Sequence, residues 1–420
     1  MNYKYFLLIL LLFTIFVEAN NNSIKSKLNQ ITNSLPKGTK FGLIVINPMS
    51  NDTIFARNHK ASLIPASNTK LFTTAVALAL MGADYQVATK LYCDKVQNNS
   101  GVISGNLYIK GFGNSLFTEK DLDEMVQSLV NSGIKVIDGD VVADDSFFDQ
   151  VYSRFDWIED EKTFVHLPPV SALVINRNYI TTQVKRRKRY VNVNKKIADP
   201  PAYISNLLLK KLISADISVS GVSRKGITPH SAFEIATSSV PLKNILSIVN
   251  KASDNFLAEV LFKTVGAVAT GREGTGFNAA QSINKFIEDN DIESTGTKIV
   301  DGSGLSRYNQ ISVGSIVSLL EYIYLNMKLY EPFSNSLSIA GVDGTLGGRM
   351  GSSNAEFNFR GKTGTLNGAS SVSGYLKTKS GEDVIISMIF EFSKGGINHY
   401  RRIQDQIIEI LAEYEDIPGY

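Results

Sequence analysis

At 420 residues the chain has room for two or three domains of ordinary size. With 43% hydrophobic and 20% charged residues it is composed like a folded protein, which excludes a disordered or fibrous chain. A net charge of +3 is too small to argue for a nucleic-acid partner, and a single cysteine, Cys93, excludes an intrachain disulfide.

The first 19 residues stand apart. Lys4 precedes an apolar run from Phe6 to Val17 broken only by Thr14, and Val17-Glu18-Ala19 fits a cleavage site. This reads as a signal peptide over residues 1–19, with no following cysteine to make a lipoprotein. Export with one thiol and no possible staple fits a bacterial periplasm. The four histidines, His59, His166, His230 and His399, are scattered without metal-ligand spacing, so neither a metal nor an organic cofactor is expected.

After a short amphipathic helix over 23–34, Phe41–Asn47 and Thr53–Ala56 are strand-like. Next comes Pro65-Ala66-Ser67-Asn68-Thr69-Lys70, running into ten residues, Leu71 to Leu80, that are all apolar, Ala or Thr. No solvated face is left, so a helix buried on all sides is predicted. Between residues 87 and 239 the character changes to short β-rich runs (Lys90–Asp94, Asn106–Gly111, Val136–Asp144, Tyr190–Val193) with one helix over Glu119–Ser132. That stretch reads as an insertion of one or two small domains into a parent domain formed by 20–86 and 240–420. Within it, Lys185-Arg186-Arg187-Lys188-Arg189 is the densest charge run; a solvated loop or strand edge is the plain reading, and contact with an anionic wall polymer or membrane surface the alternative.

Helices are predicted over Leu242–Asn250, Asn255–Ala269, Asn278–Asn290 and Val313–Met327. Strands follow over Phe357–Thr365, Ser371–Thr378 and Val384–Phe392, then a closing amphipathic helix over Arg401–Tyr414. Two early strands, three late ones and helices between them predict an α+β fold. Its centre would be one five-stranded antiparallel sheet beside a helical cluster, interrupted by the β-rich insertion.

Three short motifs occur in one order: Ser67-x-x-Lys70 at the start of the buried helix, Ser253-Asp254-Asn255 at a loop-to-helix junction, and Lys362-Thr363-Gly364 on a strand. Each recurs by chance elsewhere. Ser34-Leu35-Pro36-Lys37 fits the first, but Pro36 denies it a helix interior. The conjunction carries the information, because this set marks serine acyl-transfer enzymes. Ser and Lys three residues apart share a helix face at about 5–6 Å. Ser67 Oγ would attack a carbonyl, and Lys70 would serve as its base if burial and the charge of Lys362 depress its pKa. Ser253 would relay a proton to the leaving nitrogen, and Asn255 would hold the substrate amide and Lys70. Backbone amides of Ser67 and Thr365 would make an oxyanion hole, with Lys362, Thr363 and Thr365 facing a terminal carboxylate.

With Asp301-Gly302-Ser303-Gly304-Leu305-Ser306-Arg307 and Gly361-Lys362-Thr363-Gly364-Thr365-Leu366, the chain resembles the D-alanyl-D-alanine carboxypeptidase/endopeptidase family. These are low-molecular-mass penicillin-binding proteins of the type with a large insertion between the first two motifs. The resemblance covers about residues 25 to 415, and its insertion, about 180 residues between Lys70 and Ser253, is short for the type. It implies peptidoglycan stem peptides as substrates and β-lactams as acylating ligands. Carried over, it implies that Asp144 reaches the amino end of a diaminopimelate-like side chain, that Phe148 lines that pocket, and that Arg307 lies near a substrate carboxylate. Two other readings share the motifs: a serine β-lactamase, for which no water-activating glutamate segment stands out, and a catalytically silent wall-binding scaffold.

Overall fold

The computed structural model describes residues 24–50, 52–97, 100–157, 167–186 and 189–414. Met1–Ala19, read above as an export signal, and Arg187 and Lys188 of the basic run lie outside them.

The unbroken apolar run over residues 41–46 explains why the strand Lys40–Asn47 sits inside a sheet with both faces covered. Leu43 and Val45 point to one apolar cluster, Ile44 and Ile46 to another. The strand pairs antiparallel with Asp52–Arg57 on one side and with Asp383–Glu391 on the other. Beyond lie Ala369–Lys377 and Phe359–Leu366, all antiparallel. The five expected strands are thus joined edge to edge, and a two-residue sixth, Ser338–Ile339, pairs at the outside of Phe359–Leu366. One face is covered by the helix over 24–33 and the closing helix Ile397–Ala412, which buries Tyr400, Ile407, Ile408 and Leu411. The closing helix starts four residues before its predicted beginning, right after Gly396.

The other face meets the helical cluster. At its centre stands Thr69–Met81, in which every residue from Thr69 to Leu78 is buried. Around it pack Leu242–Lys251, Asn255–Thr270, Val313–Tyr324 and Met327–Ser336. The predicted helix over Val313–Met327 is in fact two. The first ends at Tyr324, and the second carries Pro332 in its interior.

The β-rich stretch has a separate apolar cluster built on Leu91, Ile109, Leu122, Val141, Leu173 and Leu208. Its first strand, Gln86–Cys93, pairs along its length with its last, Phe233–Pro241, ending at Pro241↔Gln86. The two ends of the segment are therefore hydrogen-bonded to each other. Phe233–Pro241 stands at the edge of a five-stranded sheet, followed inward by Gln86–Cys93, Leu107–Gly111 and Val141–Asp144. The predicted strand Val136–Asp144 is broken into Val136–Asp138 and Val141–Asp144, which join different sheets. The exposed hairpin Tyr179–Arg186/Arg189–Lys196 carries the described part of the basic run. A helix over Pro200–Ser214 is absent from the sequence reading although its start is well marked. Asp199 caps it by accepting from the Ala202 N–H, and two prolines occupy its first positions, where no N–H is needed.

Candidate active site

Ser67 does not stand on the long helix itself. It sits in a single 3-10 turn, Ala66–Asn68, that feeds directly into Thr69–Met81. A 3-10 turn eclipses residues i and i+3, so the Ser–Lys pairing survives the change of helix type. Ala66 is held at φ +49 and Ser253 at φ +57, a region uncommon for residues with a Cβ and concentrated at functional sites. Neighbouring strands pin the turn. Ser371 Oγ donates to the Pro65 carbonyl at 2.6 Å, and Asn68 Nδ2 donates to Ser373 Oγ at 2.7 Å.

Lys70 Nζ is the hub. It donates to Ser67 Oγ at 2.9 Å, to Asn255 Oδ1 at 2.7 Å and to the Ser303 carbonyl at 2.6 Å. Its side chain is wholly buried, and that burial pushes its pKa down to about 7 against the opposing pull of Asp301 and Glu259. Lys362, equally buried, donates from Nζ to Ser253 Oγ at 2.7 Å and to the Thr363 carbonyl at 2.9 Å. Burial first, and then the charge of Lys70, holds it well below the usual lysine range. Five residues from three distant parts of the chain thus form two amine-centred clusters facing one cleft.

Two glycines let backbones meet there. A Cβ on Gly364 would stand 2.6 Å from the Pro65 carbonyl oxygen and 3.0 Å from the Ser67 nitrogen, so the Lys362 strand runs directly over the Ser67 turn. Gly304, at φ +80, brings the Asp301–Arg307 block so close to the turn that a Cβ would stand 1.9 Å from the Ala66 carbonyl oxygen. Only a residue without a side chain fits either place.

Behind Lys70 lies a device that sequence reading missed. Glu259, one helical turn after Asn255, is buried and accepts through Oε1 from the Gly302 and Ser303 N–H groups at 3.1 and 2.8 Å. Asp301, also buried, accepts from the Gly304 and Ser306 N–H groups at 2.8 Å and from Asn309 Nδ2 at 2.7 Å. Both carboxyls are buried, and burial raises the pKa of each, with the charge of Asp301 adding to the rise at Glu259. They fix the loop whose Ser303 carbonyl receives Lys70. A lone glutamate in the otherwise apolar run Phe256–Phe262 was the available signal.

The inserted segment touches this machinery through residues that carried no motif. Arg154 pairs with Asp156 through Nε and Nη2 at 2.9 and 2.8 Å, and Asp156 Oδ2 accepts from Ser306 Oγ at 2.7 Å. Arg177 forms an ion pair with Asp254, the residue between Ser253 and Asn255 that caps their helix by accepting from the Leu257 N–H. Asn176, Arg177 and Asn178 all lie at left-handed φ, and this turn presents the arginine.

The accessory positions implied by resemblance are placed differently. Asp144 is fully buried, 3.0 Å from Lys110 Nζ, and accepts from the Thr228 and Ser146 N–H groups. Burial alone would raise its pKa, but the hydrogen bonds from Ser146 and Thr228 outweigh that and hold the carboxyl below its ordinary range. Phe148 is buried against Gly274 and Gly113 and stacks on Phe147 at a centroid distance of 5.6 Å. Neither lines the two cavities that open on Ser67. The adjacent Asp145 is spent on Tyr152 and Ser171, so a shift of register by one residue does not bring a carboxylate to the cleft. Arg307 donates to the Asn367 carbonyl at 2.6 Å, at the rim of one of those cavities.

The cleft has two arms meeting at Ser67, Asn255 and Thr365. The larger, about 690 Å³, is lined by Thr345, Thr363 and a group of arginines; the smaller, about 460 Å³, by Gly304, Leu305, Leu366 and Phe392.

Comparison with known proteins agrees in extent with this arrangement. The family model of the D-Ala-D-Ala carboxypeptidase 3 (S13) family matches residues 24–190 and 186–414. A D-alanyl-D-alanine carboxypeptidase from an Actinomadura species is 26% identical over 90% of this chain and 82% of its own. The crystal structure of penicillin binding protein 4 from Haemophilus influenzae superposes with a TM-score of 0.80 at 24% identity, covering 92% of this chain and 99% of that one. A second structure of that protein, complexed with a β-lactam, gives a TM-score of 0.75 at 24% identity over 90% and 97%.

Proposed function

The chain belongs to the D-Ala-D-Ala carboxypeptidase 3 (S13) family, and from that premise we propose that it hydrolyses the D-alanyl amide bond of peptidoglycan stem peptides through an acyl-Ser67 intermediate. The observation that carries the reading is Lys70 Nζ at 2.9 Å from Ser67 Oγ in a fully buried site. With a pKa near 7 a substantial fraction of the amine is neutral and able to accept the hydroxyl proton.

In this mechanism Ser67 Oγ attacks the carbonyl carbon as its proton passes to Lys70. The oxyanion is held by the backbone N–H groups of Ser67 and Thr365, a role supported by the close approach of the Lys362 strand to the Ser67 turn at Gly364; one such donor is worth about 3–4 kcal/mol. The C–N bond then breaks, and Ser253, itself hydrogen-bonded to Lys362, passes a proton to the departing nitrogen. Asn255 orients the amide and Lys70, while Lys362 and the hydroxyls of Thr363 and Thr365 receive the terminal carboxylate. Water then attacks the acyl carbon and regenerates Ser67. β-Lactams would be attacked at the same atom, and their tethered leaving group would stay in the cleft. Work on wall peptides requires export to the periplasm, for which Met1–Ala19 is read as the signal.

The test is intact-protein mass spectrometry after mixing the protein with benzylpenicillin, beside Ser67→Ala, together with D-alanine release from a D-Ala-D-Ala peptide. A long-lived single adduct lost in the variant, with D-alanine released by the wild type, is the expected result. Rapid turnover of penicillin without an adduct would favour a β-lactamase. Neither adduct nor turnover would leave a wall-binding scaffold.

A further inference from the structure

To pass a proton along a fixed line Ser253 has to be held still, yet it stands at a loop-to-helix junction with φ +57. Backbone of that kind persists only where its surroundings over-determine it. After Ser253 comes the helix Asn255–Thr270, capped by Asp254. Before it comes the end of the helix Leu242–Lys251, whose last carbonyls have no partner within the helix.

That end is gripped from one side. Ser338 Oγ donates to the Lys251 carbonyl at 3.3 Å, and Lys251 Nζ forms an ion pair with Asp343. Asp343 Oδ1 accepts from the Ile339 N–H at 2.8 Å, so its carboxylate joins the helix end to the short strand Ser338–Ile339. Gly344, at φ +57, brings the turn so close that a Cβ would stand 2.6 Å from the Lys251 carbonyl oxygen. The same residues hold the Lys362 strand. Ser338 pairs with Gly361, the neighbour of Lys362, and its Oγ accepts from the Thr345 N–H at 3.2 Å. Thr345 Oγ1 accepts from Thr363 Oγ1 at 2.8 Å. Lys362 donates to Ser253 Oγ at 2.7 Å, and Lys251 precedes Ser253 by two residues, so these contacts close into a ring. Ser338 is wholly buried, and neither it nor Asp343 lines either arm of the cleft. Any effect of these two on the reaction has to travel through the residues they hold.

We propose that Ser338, Asp343 and Thr345 are positioning residues for Ser253. They clamp the end of its preceding helix to the Lys362 strand and so fix the line along which the Ser253 proton reaches the departing nitrogen as the C–N bond breaks. The acyl group passes to Ser67 and then to water as before; the clamp governs the protonation of the leaving group. This inference rests on the function proposed above.

The test uses two substrates with one acyl group: a peptide ending in D-alanyl-D-alanine, and its thiolester analogue with D-2-mercaptopropionate in place of the last alanine. Both present the terminal carboxylate, but the amine needs a proton to leave and the thiolate does not. Rates are taken per Ser67 site titrated with benzylpenicillin, so that misfolded protein does not count. Ser253→Ala sets the scale: kcat/KM for the peptide should fall by about 10²–10⁴-fold, as for loss of a general acid, and for the thiolester far less. Ser338→Ala and Thr345→Val should repeat the pattern in smaller measure, with the peptide down about five- to thirtyfold and the thiolester within about twofold. Asp343→Asn, which loses a partly exposed ion pair but still accepts from the Ile339 N–H, should cost the peptide about two- to fivefold. Thr345→Ser, which keeps the hydroxyl, should restore the peptide rate. Ser338→Ala and Thr345→Val enzymes that keep both substrates, or lose both alike, would overturn the clamp. A Ser253→Ala enzyme that loses both alike, or a wild type that hydrolyses neither, would instead overturn the mechanism on which it rests.

Discussion

The floor of the cleft and the inserted segment use buried charge in opposite ways. On the floor, Lys70 and Lys362 are wholly buried with no carboxylate bonded to either amine; their partners are hydroxyl, amide and carbonyl oxygens. Burial therefore weakens their hold on a proton. In the inserted segment Asp144 is as deeply buried, yet it has Lys110 at 3.0 Å and two backbone donors, and it is held in its charged form. The first arrangement leaves a group poised to exchange a proton near neutral pH; the second locks one in place. Burial alone does not mark a reactive residue. The identity of the groups that meet it does.

The largest way to break that contrast is at Lys70. Lys70→Met, close in length but without an amine, should slow acylation by penicillin by about 10²–10⁴-fold, the range for loss of a general base. In the wild type the reactive form is the neutral amine, so acylation should rise with pH and level off above about 7. Below that it should fall tenfold per unit, as the ammonium accumulates. Stopped-flow acylation between pH 5 and 9 checks both; a flat profile through pH 7 would show that Lys70 is not the titrating base.

Glu259→Gln comes next. Glutamine can still accept from the Gly302 and Ser303 N–H groups, so the loop holding the Ser303 carbonyl is preserved and only the ionisable group is lost. Around Glu259 stand Asp301 and Arg154, with Lys70 beyond the loop. Burial raises the Glu259 pKa to about 8, so through the acid limb of Lys70 the carboxyl is mostly protonated and glutamine resembles it. Acylation at pH 6 should therefore stay within about twofold of the wild type. Glu259→Ala instead leaves two buried N–H groups without an acceptor, at a cost of about 1–3 kcal/mol each, and should lower Tm. A rise of about tenfold or more at pH 6 in the glutamine variant would show that Glu259 is ionised beside Lys70 at that pH.

The same distinction explains how much was legible in the sequence. The three motifs could be read because acyl transfer demands particular residue types at short fixed spacings, and their helices and strands announce themselves by apolar pattern. The Thr69–Met81 helix and the five main strands follow from that pattern too. The Pro200–Ser214 helix was missed despite Asp199-Pro200-Pro201, a start signal outweighed by the β-rich surroundings. Half of the Tyr179–Lys196 hairpin was missed because both its faces are largely exposed and polar, so it has little alternation to read. The surroundings of the accessory positions were illegible for a deeper reason. Whether Asp144 faces a cleft or Lys110 depends on strand pairing, Lys110↔Asp144, that local sequence does not encode. Arg177, which does reach the second motif, lies in an unpatterned turn of three left-handed residues.

That arginine offers a smaller effect. Arg177→Ala removes the partner of Asp254 but leaves the helix cap to the Leu257 N–H intact. Because Arg177 is about half exposed and Asp254 keeps its bond to the Leu257 N–H, the loss should slow acylation by only about two- to threefold and shift Tm little. A loss comparable to that at Lys70 would mean that the inserted segment controls the geometry of Ser253 and Asn255.

The smallest expected effect is the sharpest test of the contrast itself. Asp144→Ala should leave penicillin acylation and peptide hydrolysis within about twofold, because the carboxylate lines neither arm of the cleft. Its cost should appear in stability. The change strips Lys110 of its partner and leaves the Thr228 N–H, in a buried position, without an acceptor, which should destabilise by about 3–5 kcal/mol if the segment does not relax. Comparing a peptide substrate that bears a free side-chain amine with its acetylated form separates the alternatives. If KM for the amine-bearing peptide rises in Asp144→Ala while the acetylated one is unaffected, the carboxylate reaches substrate. The inserted segment would then have to swing its buried strand edge toward Ser67, breaking the Lys110 pair to do so. If both peptides respond alike, Asp144 is a lock in the inserted sheet, and this segment meets the catalytic loops through Asp156 on Ser306 and Arg177 on Asp254 instead.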